Sequence, residues 1–315
     1  MPKSSEISER FWNLPQKPGE EAAREQNFID DIIQKAHIER LLLDNLDGIR
    51  TVFDGGGGVG RFSLLLAARG VHVTHFDISQ PMIDRAKQLA EARGLAGNVT
   101  FVRGALEDLS AFGGAQFDLV MSFDAPVSYT WPNHEQVLGE LVRIAAKRLC
   151  VSVYSRAAFA AYAFDPDFGQ KAKYILDPRS KDPLVRWYLK NGKRAKGFKP
   201  DSGRARQIMR MGLPENPQDI AVAYERGETP WPVSYAFAPE ELRRLLEQSG
   251  ACDVRLSGPG ALSRSIPGEV LRALMRGEAQ KREFLDFCYE YDSLPGSEGL
   301  GKDNLVAVAE VSKLS

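Results

Sequence analysis

Apolar and polar positions along this chain follow two rhythms. In residues 1–46, Phe28, Ile29, Ile32, Ile33, Ala36, Leu41, Leu42 and Leu43 return at roughly helical spacing, and Asp44-Asn45 with Asp47-Gly48 supply a break. The first 46 residues therefore read as a leading helical segment. Beyond it, short apolar runs alternate with amphipathic stretches, the pattern of parallel strands joined by crossover helices. Strands are expected at 50–54, 71–77, 99–102, 117–123 and 149–154. Ser79 can cap the helix after the second strand, with Pro81 in its first turn and Gly94 past its end. Asn133 can cap a helix carrying Val137, Leu138, Leu141, Val142 and Ile144.

The rhythm stops after Arg156 and resumes only at Pro239-Glu240-Glu241-Leu242, followed by a strand at 252–256. Such a gap is too long for a structureless loop inside a compact domain, so it should fold as a cap. A second interruption, about 259–302, is also helical by pattern, and the closing β-run at 304–311 could be added to the edge of the sheet. The expected organisation is an N-terminal helical part of the cap (1–46), a ligand-binding core (47–156), a cap insertion (157–236) and the remainder of the core (237–315).

The strongest motif joins the first strand directly to a helix: Thr51-Val52-Phe53-Asp54-Gly55-Gly56-Gly57-Gly58-Val59-Gly60. Two cofactor fingerprints fit it. Gly55, Gly57 and Gly60 satisfy the dinucleotide pattern G-x-G-x-x-G. Asp54, Gly56, Gly58 and Gly60 satisfy the pattern D/E-x-G-x-G-x-G of S-adenosylmethionine sites. A carboxylate at the mouth of the first strand suits the ammonium of S-adenosylmethionine and sits awkwardly beside a pyrophosphate. Asp77, ending the second strand, can accept ribose hydroxyls in either class.

Through VFDGGGGVGRFS, HVTHFDIS, NVTFVRG and FDLVMSFDAP, in that order, residues 48–155 resemble the class I S-adenosylmethionine-dependent methyltransferases. The resemblance implies an α/β fold: a Rossmann-like, seven-stranded, mostly parallel sheet with an antiparallel last strand, here with a helical cap insertion. It also implies that Asp54 and the backbone of Gly55, Gly56, Gly58 and Gly60 hold the methionine portion, Asp77 the ribose and Ile78 the adenine face. Family members often carry an acidic residue directly after the glycine that ends the third strand, where this chain has Gly104-Ala105. Glu107 or Asp108 can substitute from the following turn.

Methyl transfer from a sulfonium is an in-line displacement that needs neither metal nor covalent intermediate, so the protein's task is alignment and exclusion of water. Ligands of open parallel sheets lie beyond the strands' carboxyl ends, which puts Phe123 and the following loop beside the reacting methyl. There Asp124, Tyr129 or His134 could accept a proton from an acceptor that needs deprotonation. His72 and His75 point to opposite faces of one strand and His37 lies apart, so a shared metal site is not expected.

Composition adds three points. No stretch of 18 apolar residues occurs, and Cys150, Cys252 and Cys288 lack CxxC spacing, which fits a cytoplasmic protein; S-adenosylmethionine as cofactor and S-adenosylhomocysteine as product are what the resemblance implies. The chain's formal net charge is −1, yet residues 171–210 hold thirteen Lys or Arg against three Asp. Arg179, Lys181, Arg186, Lys193, Arg194 and Lys196 could meet an acidic small molecule, or be solvated surface. A small-molecule acceptor leads this reading, an anionic one among the options. RNA or nucleotide methylation, an NAD(P)-dependent oxidoreductase and a non-catalytic nucleoside-binding regulator are the alternatives, and oligomeric state is open.

Overall fold

The structure is a computed structural model that describes residues 2–165, 171–194 and 198–311. The leading segment forms three helices, α1 (Ser4–Trp12), α2 (Lys17–Asn27) and α3 (Ile29–Asp44). Phe28 interrupts the last two in an extended conformation, bridging to Ile175 of the insertion. The core then runs β1 (Thr51–Gly55), α4 (Arg61–Ala67), β2 (His72–Asp77), α5 (Gln80–Ala92), β3 (Val99–Arg103), β4 (Phe117–Ser122), α6 (His134–Ile144) and β5 (Ala145–Ser155). The Ser79 hydroxyl accepts the Met82 N–H at the start of α5. Asn133 does precede α6, but its side chain makes no capping bond.

Two insertions interrupt the chain beyond β5. The first contains helices Arg156–Ala161, Pro183–Arg194, Ser202–Met211 and Pro217–Glu225, and returns through β6 (Ala236–Phe237) to the helix Pro239–Gln248 and β7 (Ala251–Ser257). The second contains helices Ala261–Arg264, Gly268–Leu274 and Glu278–Asp292 before β8 (Asn304–Val311). The sheet order is β3-β2-β1-β4-β5-β8-β7, with β6 paired to β5. All pairings are parallel except those of β8, which is antiparallel to both β5 and β7.

The closing β-run is therefore not an edge addition. β8 lies between β5 and β7, and the run Leu305-Val306-Ala307-Val308-Ala309 is buried throughout. An unbroken apolar run is what a strand covered on both faces requires. β6, two residues long, is too short to carry any period.

Two apolar layers clothe the sheet. On one face α6 and the helix Pro239–Gln248 bring Val137, Leu138, Leu141, Leu242 and Leu246 against Val120, Leu149 and Leu305. On the other, Ile38, Leu41 and Leu42 of α3 join Phe62 and Leu66 of α4 against Val52, Leu119 and Met121. The N-terminal half of α3 instead packs Ile29 and Ile33 on Tyr174, Leu271 and Phe284 of the two insertions. One helix thus belongs to both core and cap, which fixes the roof above the carboxyl ends of the strands.

His37 is buried, hydrogen-bonded to Ser257 Oγ at 2.9 Å and packed on Tyr289, so its role is structural. Burial pushes the thiols of Cys150 and Cys288 up to about 12, far from the range of a reactive thiolate. Among the described residues no helix is long and apolar enough to cross a membrane, and no group of three or more His, Cys, Asp or Glu could hold a metal ion.

Candidate active site

A cleft opens at the carboxyl ends of β1, β2 and β4. Its floor is the turn between β1 and α4. Gly56, Gly58 and Gly60 adopt positive φ (76°, 55° and 82°), whereas Gly55 and Gly57 do not. The glycines required by conformation are therefore those of the D-x-G-x-G-x-G spacing. Gly56 is doubly constrained, since a Cβ there would stand 2.4 Å from the Pro126 ring. Gly58 faces open space, leaving backbone exposed to the cleft.

Two carboxylates flank this turn. Asp77, at the end of β2, accepts the Gly58 N–H on Oδ2 and the Ser79 N–H on Oδ1, each at 2.8 Å. Burial raises it to about 6 against the pull of those N–H donors. Asp54, 2% exposed, is raised to about 7 chiefly by burial and less by the neighbouring Asp77 charge. The Ser63 hydroxyl donates to Asp54 Oδ2 at 2.6 Å and lies 3.0 Å from His75 Nδ1. With that donation made, the imidazole Nδ1–H donates to Ser63 Oγ. Burial holds His75 neutral, at about 4.

Of the residues singled out in the sequence, Asp54, Gly56, Gly58, Asp77, Ile78, Glu107, Phe123, Asp124 and Tyr129 line the cleft together. Gly55 packs against Phe53 and Leu106, and Gly60 against Ala86, so both shape the turn from behind. Glu107 accepts the Ser4 hydroxyl of α1 at 3.0 Å, while the exposed Asp108 caps its own turn through Ser110. His134 does not reach the cleft. It is buried in a stack on Tyr235, 3.9 Å between ring centroids, because the chain returning from the first insertion covers the start of α6.

Asp124 follows β4 at φ 69° and Ala125 at φ 64°, two successive non-glycine residues in the left-handed region. The Ser152 hydroxyl of β5 accepts both their N–H groups, at 2.8 and 3.4 Å, holding a conformation that costs about 1 kcal/mol or more per residue. The Asp124 carboxylate pairs with Lys35 of α3 and accepts Gln34 Nε2 at 2.8 Å. The Tyr129 hydroxyl is hydrogen-bonded to that of Tyr154. Burial lowers Lys35 to about 8.

The leading helices supply walls that the sequence pattern does not assign: Ser5, Ser8 and Trp12 from α1, Glu21 and Glu25 from α2, and Lys35 from α3. Arg61, opening α4, faces them and pairs with Glu25 and Glu39. A cation such as Lys35 on an otherwise apolar helical stripe is the one available signal. No described residue of the first insertion lines the cleft. Arg179, Lys181 and Arg186 are exposed away from it, and Lys196 and the side chains of Lys193 and Arg194 lie outside the described residues.

Residues 52–148 match the family model described as a methyltransferase domain. By that match this segment is a methyltransferase domain. Over 70 residues, 22% of this chain, it is 41% identical to the tRNA 5-carboxymethoxyuridine methyltransferase of Escherichia coli K12, covering 27% of that protein. The chain is 37% identical over 118 residues, 38% of its length, to the magnesium-protoporphyrin O-methyltransferase of Rhodobacter capsulatus, of which it covers 50%. The chain thus spans between about a quarter and a half of these relatives. The solved structure of Haemonchus contortus phosphoethanolamine N-methyltransferase 2 aligns with 99% of this chain and 60% of its own, at a TM-score of 0.52 and 14% identity, a likeness of fold. The matched residues run from β1 into β5, so the methyltransferase domain contains the glycine turn, Asp77 and the β4 loop, and excludes both insertions.

Proposed function

We propose that the chain is an S-adenosylmethionine-dependent methyltransferase whose acceptor is a small molecule enclosed in the cleft. The observation that carries this reading is the juxtaposition of Asp77 with the positive-φ glycine turn at one end of a cleft that also holds Asp54 and the β4 loop.

The residues present fit the cofactor. Each Asp77 oxygen accepts one backbone N–H and keeps a lone pair for a ribose hydroxyl. Asp54, with the backbone of Gly56 and Gly58, provides a negatively charged cradle for the methionine end, and Gly55 and Gly60 set that turn's shape. Ile78 offers an apolar face to adenine, Glu107 an acceptor for its amino group, and Phe123 an aromatic wall. When bound, the cofactor supplies an electrophilic methyl group on a sulfonium sulfur. The roof of α1–α3 excludes water; Asp124 is the carboxylate of the β4 loop placed to take a proton from the acceptor, while the Tyr129 hydroxyl, which burial keeps protonated, can only orient it.

A small acceptor is favoured because the walls come from α1–α3 and the β4 loop, while the exposed basic residues of the first insertion stand elsewhere. Calorimetric titration with S-adenosylmethionine, S-adenosylhomocysteine, NADH and NADPH in parallel tests the reading. Binding of the two adenosyl ligands alone is expected, and binding of a nicotinamide alone would replace it with the oxidoreductase. Methyl release in an acceptor screen separates an enzyme from a nucleoside-binding regulator.

A further inference from the structure

Lys17, the first residue of α2, has its ammonium in a nest of rings. Its Nζ stands 4.2 Å from the ring centroid of Phe11 and 5.8 Å from those of Trp12 and Trp231. All three lie inside the distance of about 6 Å at which a ring face attracts a cation. The rings are tilted by 65–87° to one another, so they surround a volume instead of stacking. Tyr129 closes a further side, 5.8 Å from Trp12 and 6.0 Å from Trp231. Glu20 supplies the counter-charge at 2.8 Å.

Three features set this cage apart from an ordinary helix-corner contact. Two of its rings, Trp12 and Tyr129, are also walls of the cleft. Trp231, brought by the first insertion, is 42% exposed and has room to yield. The charge around the roof favours cations: Glu21, Glu25 and Asp124 face the cleft there, and the two cations among them, Lys35 and Arg61, are already paired with Asp124 and with Glu25 and Glu39. An incoming anion would have to break one of those pairs. An incoming ammonium must displace Lys17 from Glu20, but it replaces like with like and inherits the same ring faces and carboxylate.

Building on the methyltransferase reading, we infer that the Phe11–Trp12–Trp231–Tyr129 cage is the site for an alkylammonium group carried by the acceptor, with Lys17 occupying it until the acceptor arrives. The substrate class is then a cationic amine. On its binding the flexible Lys17 stem swings out to solvent, and Glu20 becomes the counter-ion of the ligand.

The test uses the whole chain and tetramethylammonium chloride as probe, titrated calorimetrically against a sodium chloride blank. Lys17→Met removes the competing ammonium while keeping an apolar stem, and it should bind the probe at least about tenfold more tightly than the native chain. Adding Trp231→Leu to that variant should abolish the gain. S-adenosylhomocysteine affinity should be the same in all three proteins, which keeps this test separate from the cofactor assignment: loss of that binding in the native chain would sink the methyltransferase reading and not the cage. A folded Lys17→Met protein that binds the probe no better than the native chain overturns the proposal. Should that variant not fold, Trp231→Leu in the native background decides, since weak probe binding by the native chain must then disappear; binding that is absent from the native chain or survives in the variant overturns the cage.

Discussion

Asp77 Oδ2 accepts the backbone N–H of Gly58 at 2.8 Å, so the carboxylate that ends β2 also anchors the glycine turn that follows β1. Asp77→Ala should therefore lose ligand contacts and loosen the turn together. We expect S-adenosylhomocysteine affinity to fall by about 1–3 kcal/mol, the usual scale for hydrogen bonds to a charged acceptor. Calorimetry on the folded variant measures it, and unchanged affinity would remove Asp77 from the ribose site.

Asp54 predicts a pH dependence. Its carboxyl is raised from 3.8 to about 7 by burial, so the native state holds the proton more tightly than the unfolded chain. Stability then declines as pH climbs from about 4 to about 7, the reverse of a salt-bridged carboxylate. Urea unfolding should show a steeper decline in the native chain than in Asp54→Asn, which keeps the contributions of Asp77 and Asp292, both raised to about 6 by burial. A ligand ammonium prefers the ionised form, so S-adenosylmethionine affinity should rise between about pH 6 and about pH 8. A flat profile would place the ammonium elsewhere.

Ser63 is the positioning residue behind that carboxylate, fully buried and bonded to both Asp54 and His75. Ser63→Ala should destabilise the fold by about 1–3 kcal/mol, the cost of leaving buried partners unsatisfied. It should also move the pH profile of cofactor binding upward, because the hydroxyl that favours ionised Asp54 is gone. A stability loss without that displacement would limit Ser63 to packing.

The roof depends on a buried charge cluster. Lys171, 1% exposed, donates to Asp30 and Asp31 of α3 at 2.8 Å each, and Lys302 stands 3.4 Å from Asp30. Lys171→Met would leave buried carboxylates undercompensated, at a cost of about 3–5 kcal/mol. Denaturant midpoints measure this, and a change below about 1 kcal/mol, on the order of an exposed pair, would show that water reaches the cluster.

Neutralising Arg179, Lys181 and Arg186 together should leave both S-adenosylhomocysteine affinity and turnover of a small acceptor unchanged. Activity that fell with these charges, and fell in native protein with added salt, would bring a polyanionic substrate back into view.

How far these features are legible in the sequence depends on the range of the signals. The strands of the core and the glycine turn are written in local spacing, and the structure has each within a few residues of its expected bounds. What each glycine is for is not local: Gly56, Gly58 and Gly60 are required by positive φ, whereas Gly55 and Gly57 leave no room for a Cβ beside Phe53 and His75. The walls from Trp12, Glu21, Glu25 and Lys35 escape the pattern for a related reason: periodicity tells which face of a helix is apolar, not what that face will cover. Proximity in sequence to the β4 loop suggests His134 for the site, whereas Tyr235, about a hundred residues later in the chain, decides its surroundings.

The position of β8 has a consequence for how the protein comes into being. A strand from the far end of the chain is wedged between β5 and β7, so during synthesis β7 emerges without a neighbour and β5 with one flank bare. The glycine turn can form early, from nearby contacts, but the sheet closes only when residues 304–311 leave the ribosome. Until then two unpaired strand borders invite association with other chains. Removing β8 should accordingly yield a protein that aggregates, even though every residue facing the cleft is still present.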